Sequence, residues 1–256
     1  MSAPTRRLFA LAACGALLTA ALPASAWNWN WGKGERVRGN GEVVTEARSL
    51  GDFDAIALHG DLNAVVRQAG STKVELRADK NLLPYLETRV VEGSKGRTLE
   101  IGPKRGYEPV GTVPLTVSVD LPSLRAVAIA GSGKVRVEAF KANGRFDGSI
   151  AGSGDLQLDG LQADQVFLSI AGSGDVVATG RASELQASIA GSGDVKALGL
   201  ATNEAKISIS GSGDAQVQVA QKLKVSIAGS GDVRYLGSPE VSSSVAGSGS
   251  VRRAKD

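Results

Sequence analysis

The tripeptide Gly-Ser-Gly begins at Gly131, Gly152, Gly172, Gly191, Gly211, Gly229 and Gly247, at a nearly constant spacing. Self-similarity at a period of about 20 residues marks a stacked repeat architecture, because one short unit cannot bury its own apolar face. Two positions before each tripeptide stand Ile129, Ile150, Ile170, Ile189, Ile209, Ile227 and Val245. Alternate positions further back are again mostly apolar, as in Val166-x-Leu168 and Leu223-x-Val225. After each tripeptide one further residue, polar and usually Asp, precedes Val135, Leu156, Val176, Val195, Ala215, Val233 or Val251. Apolar alternation at period two means a strand with one buried face. Each unit reads as strand, Gly-Ser-Gly corner, strand, and a looser return loop that absorbs the length variation.

Helical repeats need longer units and a 3.6-residue period. A leucine-rich repeat needs its own Leu/Asn pattern, and a propeller blade needs roughly 40 residues. The expectation is therefore an all-β fold: a single-stranded parallel β-helix, or solenoid, with coils of about 20 residues stacked about 4.8 Å apart. The isoleucines would point at a common axis and supply the core.

Upstream, residues 53–101 show short β-like runs separated by polar turns, and Ile56-Ala-Leu-His-Gly-Asp-Leu62 looks like a worn copy of the repeat. Asn81 to Glu87 is the candidate for a short helical turn. The expected organisation is a leader over 1–26 and a flexible Trp/Gly-rich segment over 27–48. An irregular β part over 49–122 then runs continuously into the repeats over 123–256.

The leader reads MSAPTRRLFALAACGALLTAALPASA. Arg6 and Arg7 precede an apolar stretch from Leu8 to Leu22, and Ala24-Ser25-Ala26 offers the small-x-small pattern of a signal-peptidase site. Cleavage between Ala26 and Trp27 is expected, leaving no transmembrane span, since the apolar stretch falls short of the roughly 20 residues a span needs. The arginine pair also resembles a twin-arginine signal. Leu11-Ala-Ala-Cys14 resembles a lipobox, but the apolar run continues past Cys14 to the better Ala-Ser-Ala site.

Composition subtracts functions. The 256 residues include one Cys and one His, which excludes an internal disulfide framework and leaves little for a His-based metal site or a conventional catalytic triad. A net charge of +3 gives no footprint for nucleic-acid binding. Glycine, 33 residues, is in surplus, but 14 of these sit in the tripeptides as periodic punctuation.

The ordered combination of Phe53-Asp54-Ala55-Ile56, Gly60-Asp61-Leu62, Ala78 to Leu83, Leu99-Glu100-Ile101, Pro114 to Pro122 and the repeated Gly-Ser-Gly-Asp-Val corners resembles the bacterial DUF2807 family, described as "putative auto-transporter adhesin, head GIN domain". The resemblance covers most of residues 50–251. It implies a right-handed β-helix-like fold and an exported location, and it carries over no catalytic residues and no cofactor.

Asp155, Asp175, Asp194, Asp214 and Asp232 follow five consecutive corners. Stacked in register they form a carboxylate column whose neighbours repel by about 1 kcal/mol even at water's dielectric. One reading is a calcium ladder. The other is that each Asp accepts hydrogen bonds from amides at its own corner, with Arg136, Lys196, Arg234 and Arg252 two positions along. The serine column from Ser132 to Ser248 reads as a corner hydrogen-bond ladder and not as nucleophiles. His59 reads as an ordinary surface residue at a turn. Trp27, Trp29 and Trp31 suit sugar stacking, a membrane interface or a mobile terminus. The expected function is a non-enzymatic cell-envelope solenoid binding a polysaccharide or an envelope protein. The alternatives are a polysaccharide lyase or hydrolase, against which the even spread of acids argues, and a structural spacer.

Overall fold

Parallel backbone pairing dominates the computed structural model, which describes residues 34–254. The amino-terminal strands are β1 (Glu35–Arg38), β2 (Val43–Arg48), β3 (Ala55–Gly60), β4 (Asn63–Gln68) and β5 (Lys73–Asp79). A 3-10 turn at Leu83–Tyr85 leads to β6 (Leu86–Gly93), β7 (Gly96–Pro103), β8 (Tyr107–Val110) and β9 (Thr116–Leu121). The repeats begin with β10 (Ala126–Gly131), β11 (Lys134–Glu138) and β12 (Arg145–Gly152). They continue through four long strands, β13 (Asp155–Gly172), β14 (Val176–Gly191), β15 (Val195–Gly211) and β16 (Ala215–Gly229). The final coil is β17 (Asp232–Leu236), β18 (Glu240–Gly247) and β19 (Ser250–Arg253).

The corners stack in register. Ile170 pairs with Ile189, Ile189 with Ile209 and Ile209 with Ile227, and the four are 1%, 1%, 1% and 2% exposed. Beside them run Val166, Leu185, Ala205 and Leu223, and across the corner Val176, Val195, Ala215 and Val233, all buried. Period-two patterning therefore becomes rows of aliphatics facing one axis, each large one contributing roughly 1.5–3 kcal/mol on full burial. The return stretch is not a loose loop. It is laddered too, and the length variation is taken up by register shifts at Leu158/Leu161, Val177/Thr179 and Ala197/Ala201.

The worn repeat copy is a regular coil, phased two positions later than its sequence suggests. Leu58, not Ile56, pairs with Ile129, and Gly60 with Gly131. The β3–β4 coil lies directly against β10–β11, although β5 to β9 all intervene along the chain. The chain leaves after β4, builds the end of the stack, and returns. β7 stacks on the other side of β3, and β9 on the other side of β4. Parallel stacking then ends, because β6 pairs antiparallel with β7, and β5 antiparallel with β9 and β2. Phe53, Leu82, Leu83 and Leu86 are buried in this region.

Residues 35–48 differ from the flexible segment expected there, since they form β1 and β2. Of the glycines that read as flexibility, Gly39 serves close approach, and Gly41 takes a φ of +83° with open space where a Cβ would lie. A Cβ on Gly39 would collide with the Asp79 carboxylate, and Gly41 donates its N–H to Asp79 Oδ1 at 2.7 Å. Asp79 also accepts the Thr112 N–H at 2.8 Å and its hydroxyl at 2.7 Å. One buried carboxylate thus ties the β1–β2 turn, the end of β5 and the β8–β9 loop together.

Candidate functional site

The Gly-Ser-Gly corner is built from backbone. The Gly172 carbonyl accepts the N–H of Ser192 at 2.9 Å and of Gly193 at 3.2 Å from the next coil. That approach leaves no room for a Cβ at either glycine of the tripeptide. At Gly191 it would strike the Gly172 carbonyl, and φ there is +131°, a conformation side chains rarely adopt. At Gly193 it would strike the Gly174 carbonyl and stand 2.9 Å from Ile170 Cγ2. Each corner serine contributes its N–H to this arrangement while its side chain lies exposed, so the serine column is not the side-chain ladder that its repetition suggests.

The aspartates form a column, but the expected bonding within each corner is replaced by bonding between coils. Asp175 Oδ1 accepts the N–H of Asp194 at 3.1 Å, Asp194 Oδ1 that of Asp214 at 3.0 Å, and Asp214 Oδ1 that of Asp232 at 2.8 Å. The series ends on Ser250, whose N–H and hydroxyl reach Asp232 Oδ1 at 2.9 and 2.7 Å. That hydroxyl bond, with smaller help from Arg252 and Arg234, lowers the Asp232 pKa below its ordinary value. Asp155 instead faces Lys134, 2.8 Å away. Lys196 Nζ lies 2.7 Å from Asp175 and 3.7 Å from Asp194, and the Asp175 bond raises its pKa. Amides and lysines therefore offset the repulsion along the column. Among the described residues no three His, Cys, Asp or Glu side chains gather as a cation site.

His59 is 2% exposed, in contrast to the surface position expected from its place beside a turn. It packs so closely on β7 that a Cβ on Gly102 would stand 2.7 Å from its own Cβ. Burial lowers its pKa, against a raising influence of Glu100. Arg6, Arg7, Cys14, Ala26, Trp27, Trp29 and Trp31 lie outside the described residues.

The feature missed in the sequence is a groove of about 740 Å³ along the third side of the coils. Its lining steps through Lys141, Gln162, Arg181, Ala201, Gln218 and Gly237, one from each of six successive coils. At about 4.8 Å per coil it runs roughly 25 Å along the axis. Small residues make its floor, with Ala163 in register with Ala182 and Ala182 with Thr202. Asp164 is the one carboxylate in the lining. Part of the signal was available in the sequence: Ala142, Ala163 and Ala182 recur at close to the corner period. Among the described residues no helix is long and apolar enough to cross a membrane.

Solved structures share this architecture. A putative adhesin from Bacteroides fragilis superposes with a TM-score of 0.75 at 20% identity, covering 85% of this chain and 100% of that one, a likeness of fold. A putative lipid binding protein from Parabacteroides distasonis gives 0.71 at 28% identity, and a putative adhesin from Parabacteroides merdae 0.68 at 27%, each covering 86% of this chain and 100% of its own. No curated protein sequence matches. Residues 52–239 match the family described as "Putative auto-transporter adhesin, head GIN domain", from β3's approach to the start of the last coil. The chain belongs to the DUF2807 family.

Proposed function

We propose that this protein is an exported, non-enzymatic, adhesin-like solenoid of the cell envelope that holds a polysaccharide along its axial groove. The observation that carries the reading is the groove itself. Lys141, Gln162, Arg181, Ala201 and Gln218 stand in one register column along it, so a ligand with repeating polar groups meets Lys141, Gln162, Arg181 and Gln218 in turn. Small floor residues let an extended chain lie close to the backbone. The adhesin names of the family and of two structural relatives support a binding role, and the leader pattern ending at Ala26 supports export. Glycoside cleavage by paired carboxylates needs two acids across the cleft, and the groove offers Asp164 alone.

An array of acidic and neutral polysaccharides, with lipid vesicles as a separate arm because one relative is named a putative lipid binding protein, tests this. Retention on a polysaccharide, lost in Ala201→Trp because the indole fills the groove, is the expected result. Capture by vesicles alone, or turnover of any polysaccharide, would contradict it.

A further inference from the structure

The two ends of the stack differ. One is closed by the antiparallel strands β5 and β6. At the other, β18 has one neighbour among the described residues, β16, and β19 has one, β17. The far edge of β18 therefore presents backbone N–H and C=O groups with no strand beside them. Val241 and Val245, in core phase, are 38% and 41% exposed, whereas Leu223 and Ile227 one coil earlier are 0% and 2% exposed. β18 contains neither lysine nor proline, and its pairing with β16 shows no register shift. These are the devices that ordinarily protect a sheet edge. On β19 one such device is present: Arg253 stands in register with Tyr235, so a charge occupies the core phase. A complete coil laid on this end would bury that guanidinium, whereas a single strand along β18 would not.

The sequence holds a segment of matching pattern. Trp27-Asn28-Trp29-Asn30-Trp31 alternates apolar and polar residues over the same length as Val241 to Val245. Laid beside β18, three indoles extend the row of exposed valines, and two asparagines extend the outward Ser242 and Ser244. This cannot occur within one molecule. Residues 27–33 span at most about 25 Å when extended, and they precede β1, which pairs with β8 and is tied to the end of β5 at the closed end, where Asn81 donates to the Arg38 carbonyl at 2.8 Å. The seven steps from β3 to β18 span about 34 Å. We propose that residues 27–31 of one copy add as a strand to the β18 edge of a second copy, linking molecules head to tail by β-augmentation. A heterologous contact of this kind does not close on itself, so it builds open chains.

All three tryptophans of the protein lie in this segment, so their emission reports on it. Sedimentation and fluorescence compare the purified chain with the Trp27→Ser/Trp29→Ser/Trp31→Ser variant and with Val245→Lys, each checked for an unchanged β circular-dichroism spectrum. The unaltered chain gains mass with concentration while its emission moves to the blue. Each variant alone stays monomeric, one lacking the strand and the other the edge, and an equimolar mixture recovers a one-to-one dimer. Should Val245→Lys fail to fold, a synthetic peptide of residues 27–34 added to the tryptophan-free variant gives the same blue shift. The proposal is overturned if the triple variant associates like the unaltered chain, as edge-to-edge pairing of two β18 strands would require. It is equally overturned if both mixture and peptide show no interaction.

Discussion

The carboxylate of Asp214 accepts the backbone N–H of Asp232 from the following coil at 2.8 Å. Four such bonds in series convert a row of like charges into a clasp between coils, each aspartate holding the amide of its successor. Asp214→Ala is expected to cost about 1 kcal/mol, the net worth of one hydrogen bond whose donor water can partly reach, read as a lower midpoint in urea denaturation. Calcium requires six to eight oxygen ligands, and one oxygen of each clasping carboxylate is already engaged. Millimolar calcium is therefore expected to leave the thermal midpoint unchanged. A rise that chelator reverses would show that the column binds the ion.

The corner glycines and the serine between them have opposite tolerances. Gly191→Ala forces a side chain into positive φ and against the Gly172 carbonyl, an expected loss of at least about 1–3 kcal/mol from backbone strain. Ser192→Ala removes an exposed hydroxyl and keeps the N–H that bonds to Gly172, so its effect stays within about 0.5 kcal/mol. Equal effects in chemical denaturation would mean that the serine side chain holds the corner.

Ile189 lies between Ile170 and Ile209 in one aliphatic row. Ile189→Ala is expected to destabilise by about 2–5 kcal/mol, transfer and cavity contributions together. The same change at exposed Val177 should fall within about 0.5 kcal/mol, which makes the pair an internal control.

Much of this was legible beforehand, and the reasons are local. Strand, corner and buried face all follow from a period of two interrupted at each Gly-Ser-Gly, because parallel stacking maps sequence repetition directly onto space. Three things were hidden. The β3–β4 coil sits beside β10–β11 across a long detour, and no local pattern encodes which distant strand a worn repeat joins. Gly39 and Gly41 looked like a flexible stretch until Asp79 was placed against them. The aspartates bond upward to the next coil, and sequence spacing alone cannot tell that amide from one in the same corner. The groove was partly readable in its recurring alanines but carried no chemistry that set it apart.

Acid should weaken the closed end before the repeats. The lowered pKa of buried His59 means the unfolded chain takes up a proton first, so stability is whole above the ordinary value of 6.5 and is lost as pH falls from there through the folded value. Asp79 acts lower down. Its bond from the Thr112 hydroxyl, the largest cause, holds its pKa below the ordinary 3.8, so its contribution is present above 3.8 and lost as pH falls through the depressed value. His59→Gln should flatten the fall in thermal midpoint that begins as pH drops below 6.5, and Asp79→Asn should flatten only the more acidic limb. An unchanged profile in His59→Gln would assign the upper limb to another group.

Stacking in register is tested most directly by distances between spin labels at the corner serines, after Cys14→Ser. Pairing a label at Ser132 with one at Ser212, Ser230 or Ser248 places it four, five or six corners away. Backbone separations of about 19, 24 and 29 Å are expected, rising about 4.8 Å per corner. Separations that fail to grow with the number of corners, or that grow by much more than about 4.8 Å per corner, would contradict the stacked coil.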